Sequence, residues 1–190
     1  MSLHASHSLN KKGLPFRPPP IVDVSPGHFL LIVGSRNARY LLTGLVISLA
    51  ETGEVRVIDA GNPLDAPLFR HLTDARPDVL ARVHLRRAAN YSSLLSLLAA
   101  ERVSTQPLIL LDLLGPFYDG SIHLSRRREI LSACLGELRR LRRAGGAVSL
   151  HPPEAPFRSA RGLYRLVLSA APRLFTSQVT LPDKSLRRLY

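Results

Sequence analysis

The chain has 190 residues, of which 45% are hydrophobic, and a formal net charge of +12 at pH 7. This length suits one domain with a substantial buried core, and the hydrophobic share excludes a disordered chain. No apolar run reaches the roughly 18 residues that a membrane-spanning helix needs. A single cysteine, Cys134, excludes a disulfide framework, and residues 1–12 lack the apolar stretch of a secretory signal. We therefore expect one domain in the cytoplasm, without a membrane partner.

The positive charge comes almost wholly from arginine, since only Lys11, Lys12 and Lys184 among the 26 basic residues are lysines. Excess positive charge favours a polyanionic partner, with nucleic acid first and an anionic membrane surface second. Arginines spread over solvated faces would give the same total charge without any partner. The placement of the arginines must therefore decide between these interpretations.

Three segments follow one another along the chain. Residues 1–26 include Pro18-Pro19-Pro20 and predict a flexible, proline-rich tail, and residues 182–190 form a basic tail. Between them, in 27–181, apolar runs of strand length alternate with amphipathic helical patterns. The predicted strands are 28–33, 55–60, 82–86, 108–112, 147–151 and 173–179. The predicted helices are 38–51, 67–73, one capped by Asn90, 125–143 and 160–170. This alternation predicts a three-layer α/β/α domain with a mainly parallel central sheet.

In such a sheet, ligands bind beyond the carboxyl ends of the strands. We expect Gly34, Gly61, Asp112 and His151 at that edge, because each follows a predicted strand. The seven histidines have no metal-ligand spacing with one another or with Cys134, so we expect no metal site. Cys134 falls on the apolar stripe of a predicted helix, which indicates an inert core thiol.

The series of segments over about 25–180 resembles the RecA-like ATPases of the P-loop superfamily. The segments that carry the resemblance are Pro26–Gly34, Val57–Ala60 with Pro63-Leu64-Asp65, Arg87–Leu98, Leu108–Asp112 and Gly162–Leu174. The first is similar to the strand before the phosphate loop and the fourth to the Walker B strand. The resemblance implies a RecA-like fold.

The residues that would handle ATP depart from the family's pattern. In the register G-x-x-x-x-G-K-[ST], Arg39 replaces the second glycine, Tyr40 the lysine and Leu41 the hydroxyl residue. Gly61 falls near the position of the family's catalytic glutamate, and Pro152 near the position of its phosphate sensor. Asp112 is the residue that remains as a possible partner for magnesium or water. The vestigial nucleotide site comprises Gly34, Ser35, Arg36, Arg39, Tyr40, Leu41, Gly61 and Asp112. We expect no catalytic residues and no cofactor, ATP with magnesium included.

The first interpretation of this edge is a degenerate nucleotide site without a remaining function. Two other interpretations stay open. Arg36 and Arg39, at a helix N-terminus, would attract an anion by charge and dipole. Ser35, Asp112 and His151 would form a hydrolytic triad if their geometry allowed the required hydrogen bonds.

The resemblance also implies two DNA-binding loops, at 115–128 and 152–162. Arginines beside aromatic rings are suited to holding phosphates while bases stack. The candidates are Phe117, Tyr118, Arg126, Arg127, Arg128, Phe157, Arg158 and Arg161. The cluster Arg139, Arg140, Arg142 and Arg143 ends a helix, where the dipole alone favours cations.

Three classes of function follow from these patterns. The first is a catalytically silent RecA-like accessory protein that binds DNA, single-stranded DNA above all, or a RecA-family or other partner in DNA repair and recombination. The second is an interaction scaffold that pairs with an active ATPase without touching DNA. The third is a nonstandard ATPase completed by a partner subunit. One continuous basic face would favour the first class, and scattered arginines the second.

Overall fold

The computed structural model describes residues 24–34, 39–61, 69–70, 76–118, 122–153 and 160–181. The predicted tails lie outside these ranges, apart from residues 24–26, and so does most of the helix predicted over 67–73. Their assignments remain predictions.

The described elements alternate as the sequence pattern predicts. The strands are β1 Phe29–Val33, β2 Val55–Asp59, β3 Val83–Arg87, β4 Leu108–Leu111, β5 Gly146–Leu150 and β6 Ser177–Thr180. The helices are α1 Arg39–Thr52, α2 Pro77–Ala81, α3 Tyr91–Ala100, α4 Leu124–Leu141 and α5 Arg161–Leu174, with 3-10 turns at Gly115–Phe117 and Arg142–Ala144. Asn90 caps α3, since its side chain accepts a hydrogen bond from the Ser93 amide.

The six strands form one sheet in the order β3-β2-β4-β5-β1-β6, and every pair is parallel. The predicted α/β class with a mainly parallel sheet is therefore confirmed. Because β5 lies between β1 and β4, the two strands that carry the resemblance to the phosphate loop and to Walker B are next-nearest neighbours. The strands β3 and β6 form the two edges of the sheet.

Successive side chains of the central strands alternate between two cores, as the period of a strand requires. Leu30 and Ile32 of β1 pack with α1 and α2 on one face. Leu31 and Val33 pack with α3, α4 and α5 on the other. Cys134 of α4 lies in this second core, where burial raises the pKa of its thiol to about 12. The thiol is therefore protonated at neutral pH and inert, as expected.

A glycine pair lets β5 enter the middle of the sheet. Gly146 has φ +148°, and a Cβ there would stand 2.0 Å from the Leu108 carbonyl oxygen of β4. Its amide donates a hydrogen bond to the His28 carbonyl on the other side. A side chain at this position would thus separate β5 from β4.

We predict that Gly146→Ala lowers the free energy of unfolding by about 2–4 kcal/mol, from backbone strain and overpacking together. Gly136→Ala is the control, because a Cβ at Gly136 in the middle of α4 meets no atom within 4 Å. That change should raise stability by about 0.5–1 kcal/mol, the helix preference of alanine over glycine. Urea unfolding followed by circular dichroism measures both. Equal stability of the two variants would contradict the close contact between β4 and β5.

Candidate functional site

The carboxyl edge of the sheet collects the residues that the sequence places there. Gly34 follows β1, Gly61 follows β2 after one residue, Asp112 follows β4 and His151 follows β5. Hydrogen bonds tie three of these ends together: the Gly34 amide donates to the Leu150 carbonyl, and the Asp112 amide donates to Ser149 Oγ. The predicted convergence of these four positions at one edge is confirmed.

The topology opens a crevice at this edge between β1 and β5. The chain leaves β1 toward α1 on one face of the sheet, and it leaves β5 toward α5 on the opposite face. Adjacent parallel strands whose connections diverge in this way mark the usual ligand site of open α/β sheets. Gly34 and His151 stand at its two sides, so the phosphate-loop register begins at the switch point.

Asp112 and His151 form a buried polar pair beside this crevice. Asp112 Oδ1 lies 3.1 Å from His151 Nδ1, and the two side chains are 0% and 3% exposed. Although this is ion-pair distance, none of Oδ1, Oδ2 and Nδ1 meets hydrogen-bond geometry with a described group. Asp112 also has φ +55°, a left-handed conformation that few non-glycine residues adopt. Strain and unsatisfied polar atoms together are typical of a functional position.

Close backbone contact fills the neighbouring edge between β2 and β4. A Cβ on Gly61 would lie 3.1 Å from Gly115 Cα, and Gly61 has φ +139°. A Cβ on Gly115 would in turn lie 2.7 Å from Asp112 Oδ2. The position that resembles the family's catalytic glutamate therefore accepts no side chain in this conformation.

Only part of the phosphate-loop register lies within the described residues. Gly34 is buried at the end of β1, whereas Ser35 and Arg36 lie outside the described ranges. Arg39 and Tyr40 open α1, and Leu41 is half-buried on the same helix. Leu41, at the register position of the magnesium-binding hydroxyl, has no side-chain oxygen to bind magnesium, so this position does not fit MgATP. Ser35 is not described, so the structure places Asp112 and His151 but not the third residue of the hypothetical triad.

The aromatic candidates for DNA stacking lie in the core, which corrects their expected role. Phe117 is 0% exposed and Tyr118 is 6% exposed. The Tyr118 hydroxyl donates a 2.5 Å hydrogen bond to the His151 carbonyl, and Phe117 packs against Tyr91. Neither ring is available to a base. Phe157 and Arg158 of the second predicted loop lie outside the described residues.

The three consecutive arginines at the start of α4 point in three directions, because successive helical residues are about 100° apart. Arg126 pairs with Glu129 at 2.7 Å, and that hydrogen bond raises the pKa of its guanidinium. Arg127 is 6% exposed and donates to the Phe117 carbonyl at 3.0 Å, so it is a structural residue. Arg128 points toward α5. Its Nη2 atom lies 3.0 Å from the position that a Cβ at Gly162 would occupy.

A larger basic surface lies along α4 and α5, and sequence reasoning missed most of it. We define the α4–α5 face by its exposed arginines: Arg128, Arg139, Arg142, Arg143, Arg161, Arg165 and Arg173. Helix α5 has no acidic residue. The two acids of α4 pair with other arginines, Glu129 with Arg126 and Glu137 with Arg140. A 3.6-residue period applied to the arginines of both helices would have indicated this face.

Arg140 belongs to a different surface. Its guanidinium donates to the carbonyls of Leu98, Ala99 and Glu101, where it caps the end of α3. Arg140 therefore caps α3 rather than the end of its own helix, which the helix-dipole interpretation did not predict. Arg142 also caps, since it donates to the Arg173 carbonyl at 3.2 Å, but it stays exposed on the α4–α5 face.

The described ranges contain neither a metal-binding cluster nor a membrane-spanning helix. No group of three or more His, Cys, Asp and Glu residues in them is arranged to hold a metal ion. No helix in them combines the length and the apolar character that crossing a membrane requires.

We predict that Arg127→Ala destabilises the protein by about 1–3 kcal/mol, because it leaves the buried Phe117 carbonyl without its donor. Arg128→Ala, at the next position, should change stability by no more than about 0.5 kcal/mol, as exposed substitutions usually do. Thermal and urea unfolding of the two variants provide the comparison. If Arg127→Ala unfolds like the wild type, Arg127 is free to bind a ligand and its structural role is wrong.

Comparisons with known proteins give similarity in fold only. No family model matches the chain, and no curated protein matches its sequence. One similar solved structure is a DnaB-like replicative helicase, described with its interactions with primase, at 10% identity and a TM-score of 0.44. The match covers 67% of this chain and 39% of the helicase. Another is the flagellar accessory protein FlaH from Methanocaldococcus jannaschii, at 10% identity and a TM-score of 0.46, covering 83% of this chain and 72% of FlaH.

Proposed function

We propose that this chain is a RecA-like domain that binds nucleic acid without hydrolysing ATP, as an accessory protein in DNA repair or recombination. The observation that supports it is the α4–α5 face. Its arginines gather on two adjacent helices, and the guanidinium groups of six of the seven, Arg142 excepted, form no ion pair or hydrogen bond within the described part of the chain. Continuous positive charge of this kind is the usual footprint of a polyanion site.

The arrangement argues against the interpretation that the arginines are merely scattered. On the opposite side of the sheet the arginines are paired: Arg76 with Glu51 at 2.5 Å and Arg82 with Asp78 at 3.8 Å. On the α4–α5 face the guanidinium groups lack such acids. Like charges held together without counterions repel one another, and a bound polyanion relieves that repulsion.

The absence of ATPase activity is supported by the residues at the carboxyl edge. Tyr40 has no positive charge at neutral pH, and Leu41 cannot bind magnesium. At Gly61, a φ of +139° and a Cβ position 3.1 Å from Gly115 Cα disfavour a side chain that would activate water. Asp112 keeps a carboxylate suited to a metal or a water.

A protein-interaction scaffold is the second candidate, and one observation favours it. The edge strand β3 and its surroundings expose the large apolar residues Leu80 (48%), Leu85 (45%) and Val103 (49%). An open strand edge beside apolar side chains is a surface to which another chain can add.

We predict that the purified chain binds nucleic acid of mixed sequence in the absence of nucleotide, and that added MgATP leaves the affinity unchanged. Because arginine–phosphate contacts release counterions, the logarithm of the affinity should fall with the logarithm of salt, by about 0.7–0.9 per phosphate contacted. Fluorescence anisotropy between about 50 and 200 mM salt measures this slope.

Two outcomes would contradict the proposal. If no nucleic acid binds at the lowest salt, the scaffold becomes the better account. If MgATP changes the affinity several-fold, the nucleotide site has kept a function that its residues do not indicate. Arg102→Ala with Arg126→Ala is the control variant, since both positions are exposed and lie off the α4–α5 face.

A further inference from the structure

The α4–α5 face contains a trough made of two adjoining cavities. The first, of about 390 Å³, lies between the helices and has Arg139 and Arg173 on its walls. The second, of about 320 Å³, lies where the two helices end and has Arg142, Arg143 and Arg173 on its walls. Arg173 and Leu174 line both, so the two cavities adjoin. None of the described residues that line them is acidic.

We propose that this trough holds the sugar–phosphate backbone of a double-stranded nucleic acid. The inference rests on the proposed function and assigns it a site and a substrate class. The site is at the end of the domain opposite the edge where the sequence places nucleotide and DNA, because α4 and α5 both run from the carboxyl edge of the sheet to its amino edge.

The chemistry of the trough is suited to phosphate. Its middle is lined by small residues, Ser132, Gly136 and Ser169 among them, which allow close approach of a ligand to the helix backbones. Arg142 is held in place by its hydrogen bond to the Arg173 carbonyl. Arg139, Arg143 and Arg173 are exposed and have no partner among the described residues. Guanidinium groups of this kind form charge-assisted, bidentate contacts with phosphate.

Capping alone does not explain the cluster. Cations at a helix C-terminus are favoured by the dipole within the last turn. Arg139 and Arg173 lie in the last turns of α4 and α5, so the dipole favours them by position. Arg142 also donates to a terminal carbonyl of α5. No such bond is formed by Arg139, Arg143 or Arg173 in the described structure, and Arg128 and Arg161 extend the charge to the opposite ends of the same helices. From Arg128 to Arg142 the face is about 21 Å long, at 1.5 Å per helical residue.

The absence of available aromatic rings among the described residues of the trough favours a duplex over a single strand. Proteins that hold single strands combine positive charge with aromatic side chains on which bases stack. Phe175 is the one aromatic residue among those lining the trough, and it is 8% exposed and stacked on Phe29 at 5.5 Å between centroids. Contacts to the backbone alone suit a duplex, whose bases remain paired and stacked within it.

A charge-matched pair of variants tests the site without removing any arginine. Ser169→Glu places a carboxylate in the trough, and Ser96→Glu places one on α3. Both serines are exposed helical residues whose hydroxyls donate to a carbonyl one turn earlier, Ser169 to Leu166 and Ser96 to Ser92. The full chain is titrated with a mixed-sequence 20-base-pair duplex and with one of its strands, by fluorescence anisotropy at about 0.1 M salt, where the Debye length is about 10 Å.

We expect the duplex to bind more tightly than the single strand. Ser169→Glu should weaken duplex binding by roughly tenfold, and Ser96→Glu by less than about twofold. The two variants should differ because a charge acts mainly within a Debye length. Arg139→Ala with Arg173→Ala should reduce the salt slope by about two units if each contacts one phosphate. Arg102→Ala with Arg126→Ala should not.

The results that would overturn the inference differ from those that overturn the proposed function. Equal weakening by Ser169→Glu and Ser96→Glu would show attraction by diffuse charge, and tighter binding of the strand would show that the ligand is not a duplex. In both cases nucleic-acid binding itself survives. Vesicles containing phosphatidylserine are a third probe. If they bind in a way that Ser169→Glu abolishes while no nucleic acid binds, the trough recognises a lipid surface and both proposals fail.

Discussion

The contact between the backbones of β4 and β5 at Gly146 is the constraint on which the rest of the domain depends. Because no side chain stands there, β5 enters between β1 and β4, and all three strands are buried on both faces. This order sends the chain from β1 to one face of the sheet and from β5 to the other. The crevice beside Gly34, the Asp112–His151 pair and the parallel packing of α4 with α5 all follow from it.

The sheet could be predicted from the sequence because its signals are local. Apolar runs such as Leu108–Leu111 and glycines after helices mark strands and their boundaries with little dependence on tertiary context. The sequence pattern predicts the final helix over about 160–170, whereas the structure extends it to Leu174. In the structure Pro172 is inside the last turn of the helix. Burial of Ala171 and Leu174 in the core accounts for the extra turn.

The candidate site was harder to predict, since which face a side chain occupies depends on the packing of neighbouring elements. Arg126, Arg127 and Arg128 are consecutive in sequence but occupy three environments in space: an ion pair, a buried hydrogen bond and the exposed α4–α5 face. Phe117 and Tyr118 follow a strand at a loop, yet Gly115 and Pro116 turn them into the core. Arg139 and Arg173 are 34 positions apart and meet only because α4 and α5 pack side by side.

The central claim is that nucleic acid contacts the trough at the amino edge of the sheet, away from the phosphate-loop register at the carboxyl edge. Hydrogen–deuterium exchange of the chain with and without a saturating duplex measures this directly. The account predicts slower exchange in the last turns of α4 and α5, within 136–144 and 169–176, and unchanged exchange in 112–118. Protection confined to 112–118 and the first turn of α4, with none at the ends of the two helices, would contradict it.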